Sequence, residues 1–579
     1  MRLSGARILW ECLLKEGVDT VFGYPGGAVL PAYDALLDVR IRHVRVRHEQ
    51  GGCHAADGYA RATGRVGVVL ATSGPGATNL VTGLATAMLD SVPLVAITGQ
   101  VSSKLLGTDA FQEVDVTGVT LPVTKHNYLV TEVEELATTL AEAFQVAREG
   151  RPGPVLVDIT KDVQQAFTEY DPDHVPQRRK PRPMPRPSEA ALDQAAALIQ
   201  QSLRPLILAG HGIQLSGARE HVQRMAATQD APYATTLLGL GAVPAHHALS
   251  LGMMGMHGEA WVNQAIQEAD LLLAFGMRFD DRVTGRLKDY APQAKKLHVD
   301  IDASEFNKNV PVDLTLHGDL RDVLEALLPR LEPRRREGWL THLRDLRGDA
   351  SVRDIQQLPD EGQLLAPHVI HDLWKLTEGD AIVVTDVGQH QMWEAQYWPH
   401  DDERSLITSG GLGTMGFALP AGIGAQMGRP DREVWVIAGD GGFQMTSPEL
   451  MTAVQEGLPL RIAVINNGHL GMVRQWQEFF FDRRYASSPI QSPDFVKLAE
   501  AYGVKAFRVD QRSEIARTVA QARSHAGPAL IEFVVAQEDS VFPMVPAGAA
   551  LHEMIRRPIP SALVETGSDD VVASVPRLR

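Results

Sequence analysis

Cysteine is almost missing from this sequence: 579 residues hold two, Cys12 and Cys53, both in segments that read as helices. That excludes a disulfide framework and fits a reducing compartment, so a cytoplasmic protein is expected. No uninterrupted apolar run approaches the roughly 20 residues that cross a bilayer, which argues against a membrane protein. Positive charge is also short. Lys and Arg number 55 against 71 Asp and Glu, and the net charge of −16 disfavours nucleic acid and anionic lipid as partners. The first residues, MRLSGARILWECLLKEGVDTVFG, carry Ile8, Leu9, Cys12 and Leu13 on one helical face behind a Ser4 cap, with Gly17 as the stop. Glu11 and Glu16 among them argue against a signal or transit peptide.

What is present is enough chain for several cores. At roughly 100 to 200 residues per domain the length predicts three or four, and 44 % hydrophobic with 22 % charged residues is an ordinary globular composition. Prolines at 172, 176, 181, 183, 185 and 187 mark an extended linker, and a polar passage near 329–362 marks a second. The expected division is a first domain over 1–165, a linker over 166–188, a central domain over 189–335, a linker over 336–364, a third domain over 365–545 and a tail over 546–579. The runs VGVVLA, PLVAIT, PVLVDI, PLILAG, LLLAFG, AIVVTD, EVWVIAG and LRIAVIN alternate with helical patterns. Continuously apolar strands between helices predict α/β, doubly wound parallel-sheet domains. Residues 68–99 and 434–467 share one order of strand, Gly turn, helix, Pro-Leu and strand, so the first and third domains read as a repeat.

The third domain carries the sharper signal. One strand closes on Gly439-Asp440-Gly441-Gly442 and the next on Asn466-Asn467, with Asn467 27 positions after Asp440. Between them a helix is expected to start with Ser447 as cap and Pro448 at its first position. Parallel strands bring both loops to the carboxyl edge of the sheet, so Asp440 and Asn467 converge. With a carbonyl just beyond, at His469, they form an oxygen-only set suited to Mg²⁺, while Gly441 and Gly442 admit phosphate oxygens. In the first domain, VRHEQGGCHAADGYARATG sets Glu49 where a strand runs into a Gly-Gly turn and a small-residue helix. A glutamate there is ordinarily solvated or paired with an arginine, and Arg45 and Arg47 are at hand.

GDG followed by NN at this spacing resembles the diphosphate motif of thiamine diphosphate enzymes. The likeness runs from GVDTVFGYPGGAVLPAYDAL to VFPMVPAGAALHEMI. GTDAFQEVDVTGVTLPVTKHN, GMMGMHG, GMRFDDRVTG, TDVGQHQMWEAQ, GGLGTMGFALPAGIGA and NNGHLGMVRQWQ make it a resemblance to the acetolactate (acetohydroxyacid) synthase family. The resemblance implies a pyrimidine-binding, a central FAD-binding and a diphosphate-binding domain. It gives Glu49 a task, since a glutamate beside the cofactor's pyrimidine promotes loss of the thiazolium C2 proton.

Carried over residue by residue, Tyr24, Pro25, Glu49, Pro75, Asn79 and Gln112 surround the pyrimidine and the reaction centre. Val387, Gly388, Gln389, His390, Gly413, Met415, Gly439, Gly441, Gly442, Gly471 and Met472 hold thiamine diphosphate from the facing domain, Met415 supporting its bent shape. Asp440, Asn467 and the His469 carbonyl bind Mg²⁺. Glu49, Gln112 and Lys161 are the implied catalytic set, and Phe111, Gln112, Lys161, Arg278, Met472 and Trp476 would choose the substrate. Trp476 could equally be an aromatic packed on Phe479 and Phe480.

In the central domain, strands ending in glycine at Gly210-His211-Gly212 and Gly276-Met277-Arg278, with Asp300 after another, are weak dinucleotide signals. The resemblance adds Arg151, Gly210, Gly212, Gly255, Met256, His257, Gly276, Arg278, Asp280, Asp300 and Asp319 as FAD contacts. His211 departs from the family's three consecutive glycines, which bears on FAD affinity. FAD is structural in this family. The implied reaction decarboxylates pyruvate and condenses the hydroxyethyl carbanion with pyruvate or 2-ketobutyrate, giving 2-acetolactate or 2-aceto-2-hydroxybutyrate, the first common step of branched-chain amino acid synthesis. Implied partners are a second copy in a homodimer, or dimer of dimers, with sites at the interface, and a small regulatory subunit. Pyruvate oxidase and the 2-ketoacid decarboxylases share the architecture and remain the alternative.

Overall fold

Strands covered on both faces must be apolar along their whole length, and the Val/Ile/Leu runs of this chain do form such strands. The computed structural model describes residues 1–173, 180, 182–351, 354–357 and 362–558. The stretch 561–579 and part of the Pro-rich linker lie outside them. Three six-stranded sheets, parallel throughout, organise the rest.

In spatial order the first sheet runs Arg42–Arg45, Thr20–Gly23, Gly67–Ala71, Leu94–Gln100, Pro154–Thr160, His126–Val130. The third runs Leu406–Thr408, Ile382–Thr385, Val434–Gly439, Arg461–Asn466, Ala529–Val534, Lys505–Val509. Numbered by chain position within each sheet, both read 2-1-3-4-6-5, so the repeat seen in the sequence is a repeat of topology. The middle sheet runs Ser250–Met253, Tyr233–Thr235, Pro205–Ala209, Leu271–Phe275, Lys295–Asp300, Leu314–His317 and reads 3-2-1-4-5-6, the order of dinucleotide-binding domains.

Segments expected as linkers and tail take part in these folds. Arg2–Ser4 pairs antiparallel with Phe167–Glu169, sewing the chain start to the first residues of the Pro-rich stretch. Within 336–364, residues Glu337–Ser351 form a helix, because Trp339 and Leu343 stand one turn apart and are buried against the central domain. Trp339 Nε1 donates to the Pro205 carbonyl at 3.1 Å. At the start of the tail, Ala549 and Leu551 enter the same core, and Arg286 N–H donates to the Ala549 carbonyl at 2.8 Å.

The first and third domains are joined by helices Glu49–Thr63 and Ala418–Gly428, whose contact is the most extensive between any two described elements. Their sequences, EQGGCHAADGYARAT and ALPAGIGAQMG, are small-residue rich, and helices buried on nearly every side need no polar face. A Cβ on Gly58 would stand 2.0 Å from the Ala421 carbonyl oxygen, and one on Gly424 1.8 Å from that of Ala55. The backbones touch. Gly424→Ala is therefore expected to lower stability by about 1–3 kcal/mol, since neither backbone can step aside. Thermal unfolding of the purified variant checks this, and a midpoint equal to the parent's would refute the close approach.

Candidate active site

Ligands of open α/β sheets bind beyond the carboxyl ends of the strands where the strand order reverses. In the first sheet that point lies between Thr20–Gly23 and Gly67–Ala71, followed by Tyr24-Pro25 and by Gly74-Pro75. Glu49 opens the helix Glu49–Thr63 beside them, with His48 as N-cap accepting from Gln50 N–H. Glu49 was expected to precede a Gly-Gly turn. Instead it is the first helical residue, and Gly51 and Gly52 lie inside the helix, where Gly51 lets the Glu449 carboxylate come close.

Arg45 and Arg47 are not its partners. Both guanidinium groups donate to Gln455 Oε1, at 3.2 and 3.0 Å, while Glu49 Oε2 accepts from Asn79 Nδ2 at 2.9 Å. Gln112 reaches this group with a left-handed backbone, φ 60°, and sits so close to Gly74 that a Cβ there would meet it at 2.9 Å. Lys161 begins a short helix after strand Pro154–Thr160 at the same edge. Tyr24 and Phe111 are 39 % and 88 % exposed, so this half faces solvent.

In the third sheet the reversal lies between Ile382–Thr385 and Val434–Gly439. The helix expected at Ser447 begins instead at Asp440 itself, where an acid in the first turn is favourable. Ser447–Glu449 is a single 3₁₀ turn with Pro448 inside it. Asp440 is buried, and its Oδ2 accepts from Gly468 N–H at 3.1 Å and Ser492 Oγ at 3.2 Å. Gly468, at φ 66°, turns the chain back to make that bond, which sets Asn467 beside Asp440.

Burial pushes the Asp440 carboxyl up to about 6, relieved only in part by these hydrogen bonds. A divalent cation would relieve the rest, so the donor set fits Mg²⁺. Among the described residues no cluster of three or more His, Cys, Asp or Glu side chains is placed to hold a metal. The expected set differs in kind, with two of its three oxygens from an amide and a backbone carbonyl. His390 Nε2 accepts from Gly439 N–H at 3.2 Å, and burial pushes this imidazole down to about 4, so it is neutral at pH 7. Gln389 Oε1 accepts from Asn467 Nδ2 at 3.3 Å and lies where a Gly471 side chain would otherwise stand.

The middle sheet reverses between Pro205–Ala209 and Leu271–Phe275, and the two following loops interlock. Gly212 N–H donates to the Gly276 carbonyl at 2.9 Å, and a Cβ on Gly210 would meet that oxygen at 2.2 Å. A cavity of about 1370 Å³ opens there. Arg151, Gly212, Met256, His257, Gly276, Arg278, Asp280, Asp300 and Asp319 line it, whereas the expected contacts Gly210 and Gly255 do not. The Nδ1 of His211, also in the lining, is buried without a hydrogen-bond partner among the described residues. A mainly apolar cavity at a dinucleotide switch point, with one unsatisfied imidazole nitrogen in its lining, fits FAD. The same cavity continues to Val387, Gly388, Gly413, Met415, Met472 and Trp476. None of Tyr24, Pro25, Glu49, Pro75, Asn79, Phe111, Gln112 or Lys161 lines it. Trp476 lines the cavity and packs edge-on against Phe480, with ring centres 5.4 Å apart.

Three family domains match the sequence: thiamine pyrophosphate enzyme N-terminal TPP binding domain over residues 3–119, central domain over 192–327, and C-terminal TPP binding domain over 386–533. The acetolactate synthase large subunit of Corynebacterium glutamicum is 49 % identical over 564 residues, 95 % of this chain and 89 % of that one. The acetolactate synthase isozyme 2 large subunit of Escherichia coli is 46 % identical over 557 residues, 96 % of this chain and 100 % of that one. The acetolactate synthase large subunit of Parasynechococcus marenigrum is 46 % identical over 569 residues, 96 % and 91 % of the two chains. The chain belongs to the acetolactate synthase large-subunit family of thiamine pyrophosphate enzymes.

For a member of that family, two groups missed from the sequence stand out. Asp386, the acid closing strand Ile382–Thr385, is buried and accepts N–H groups from Val387 at 2.8 Å, Gly416 at 2.9 Å and Ala418 at 3.4 Å. Burial pushes its carboxyl up to about 6 against these bonds. It fixes the loop that presents Met415. Asp90 of the first domain, ion-paired to Arg61 at 2.9 Å, accepts Gly410 and Gly411 N–H at 3.1 and 2.7 Å and holds the other end of that loop. Asp386 follows a strand and Asp90 ends the helix Val81–Leu89, and neither place sets an acid apart in the sequence. Asp386→Ala leaves those amides unmet, at about 1–3 kcal/mol for each one left buried and unpaired. Thiamine pyrophosphate affinity, read by tryptophan quenching, is expected to fall at least roughly tenfold with the circular dichroism spectrum preserved; parental affinity would show that the loop needs no such anchor.

Proposed function

We propose that this chain is the catalytic subunit of an acetolactate synthase. It takes pyruvate, removes CO₂, and joins the two-carbon remainder to a second pyruvate or to 2-ketobutyrate, in the first common step of branched-chain amino acid synthesis. The observation that carries the reading is that Glu49 and the Asp440–Asn467 pair both stand at switch points of like sheets in a chain matched almost end to end by acetolactate synthases. A protein that only bound the cofactor would have no need of the glutamate.

Bound thiamine diphosphate supplies a carbon acid at the thiazolium C2 that, once deprotonated, adds to a ketone. Glu49, steadied by Asn79, takes up and returns the proton at the pyrimidine ring nitrogen. Asp440, Asn467 and the His469 carbonyl would hold Mg²⁺, which would neutralise the diphosphate charge, and Met415 would pack against the cofactor. Gln112 and Lys161 face the reacting ketoacid, and Arg278 pairs with its carboxylate. The residues lining the central cavity would hold FAD as a structural group.

Glu49 is half-buried beside the exposed Tyr24, Pro25, Pro75 and Phe111, and all lie outside the cavity that holds Met415, which supports a homodimer, or dimer of dimers, in which each chain's glutamate serves its partner's diphosphate loops. The large-subunit names of the relatives support a small regulatory partner. Two free, buried cysteines suit the cytoplasm. Among the described residues no helix is long and apolar enough to cross a membrane.

Product analysis under nitrogen, with pyruvate, thiamine diphosphate, Mg²⁺ and FAD, is the direct test. Acetolactate is expected; acetaldehyde alone, or bleached flavin, would assign the chain to a decarboxylase or an oxidase instead. In the same preparation Glu49→Gln is expected to lose C2 proton exchange while still binding the cofactor, and full-rate exchange would remove Glu49 from the mechanism. Trp476→Ala is expected to lose the preference for 2-ketobutyrate as acceptor. One methylene contributes about 1–3 kcal/mol, so product ratios in a competition assay should shift by roughly tenfold or more, and unchanged ratios would clear Trp476 of that role.

A further inference from the structure

The helix that begins with Glu49 has an unusual N-terminus. Its own cap, His48, satisfies the Gln50 N–H at 3.1 Å. The two amides before it, of Arg47 and His48, are satisfied from 400 residues away by one oxygen, Glu449 Oε1, at 2.9 and 3.0 Å. The other oxygen of that carboxylate accepts from Thr452 Oγ1 at 2.6 Å, which fixes its rotation. Glu449 is only 2 % exposed, and burial raises its carboxyl above the ordinary range against the pull of these hydrogen bonds.

The gap it fills is made by Gly51. A Cβ on Gly51 would stand 2.5 Å from Glu449 Oε1 and 2.9 Å from its Cδ. Beyond Glu449, the segment before the helix lies along the third domain: Arg45 and Arg47 donate to Gln455, and Arg42 pairs with Glu456 at 2.8 Å. Asn79 is the side-chain partner that holds the Glu49 carboxylate from its far end. Its near end, the backbone from which it springs, is held by Glu449.

We propose that Glu449 is a positioning residue for Glu49: its carboxylate clamps the two amides that precede Glu49 and so sets where the catalytic carboxylate meets the pyrimidine. The role of Glu49 rests on the function proposed above; the clamp does not. A carboxylate suits the task because it accepts two N–H groups on one oxygen and sits favourably at the positive end of a helix. Because Glu449 follows Asp440 in the helical run 440–455, the clamp belongs to the domain that also builds the diphosphate site.

Three variants of the full-length holoenzyme test this. Glu449→Ala removes the clamp. Glu449→Gln keeps an acceptor oxygen. Gly51→Ala leaves every carboxylate in place but pushes Glu449 aside, and alanine favours the helix, so a folding failure is not expected. Amide hydrogen exchange over residues 46–52 is measured with the C2 proton exchange of bound thiamine diphosphate and its affinity.

In Glu449→Ala and Gly51→Ala, amide exchange is expected to rise about tenfold and C2 exchange to fall about 100-fold, as for a catalytic group displaced by an ångström, with affinity within about threefold of the parent. Glu449→Gln restores both rates. Unchanged amide exchange in both disrupting variants overturns the clamp, and loosened amides with full-rate C2 exchange overturn its positioning role. If the parent itself fails to accelerate C2 exchange, the proposed function falls, and amide exchange alone then upholds or refutes the clamp.

Discussion

Ala55 and Ala421 offer their carbonyl oxygens to Gly424 and Gly58 at distances that no side-chain carbon could occupy. That contact sets the geometry of everything else. Two buried helices, one from each outer domain, meet backbone to backbone, so the first and third sheets are held at one spacing and one angle. Dispersion falls off steeply with separation, so a contact this close has no shallow alternatives nearby. The loops at both switch points inherit their places from it.

Around the helix pair, buried charge crosses between domains and ends on backbone amides. Glu449 reaches from the third domain to Arg47 and His48, Asp90 from the first to Gly410 and Gly411, and Arg61 donates to the Thr408 carbonyl at 3.0 Å as well as pairing with Asp57 and Asp90. Each charge satisfies groups that would otherwise be unpaired where the chains of two domains meet. Such pairs stabilise little by themselves, but they specify which surfaces meet. Asp386 does the same within the third domain.

The fold class was legible because parallel strands announce themselves by uninterrupted Val, Ile and Leu, and the repeat because the two outer domains space their turns alike. GDG and NN were legible because each closes a strand. Harder to read were residues whose meaning depends on a distant partner. Glu49 looked like a turn residue next to Gly51-Gly52, and only the approach of Glu449 explains why those glycines sit within a helix. Asp440 starts a helix rather than a loop because the strand ends at Gly439, directly before it, so the helix begins eight residues ahead of the expected first position, Pro448. Residues 337–351 read as polar linker since Trp339 and Leu343 are a sparse stripe, enough to dock one face and too little to stand out. Arg61, Asp90 and Asp386 carried no local signal, because a charge buried between domains looks in one dimension like any charge on a surface.

A frame locked through its main chain also limits how a substrate gets in. Hinge closure of whole domains, a microsecond-to-millisecond event, would have to break the contacts at Gly58 and Gly424. Gating is left to segments outside the frame, such as the loop carrying Phe111, 88 % exposed, between Asp109 and Gln112 in left-handed conformations, and the turn with Asp482 and Arg483 in the same region. Loops of that size rearrange in nanoseconds to microseconds. Motion at the carboxyl edges of the sheets is thus left to a few residues of surface chain, while the helix pair that joins the outer domains keeps still.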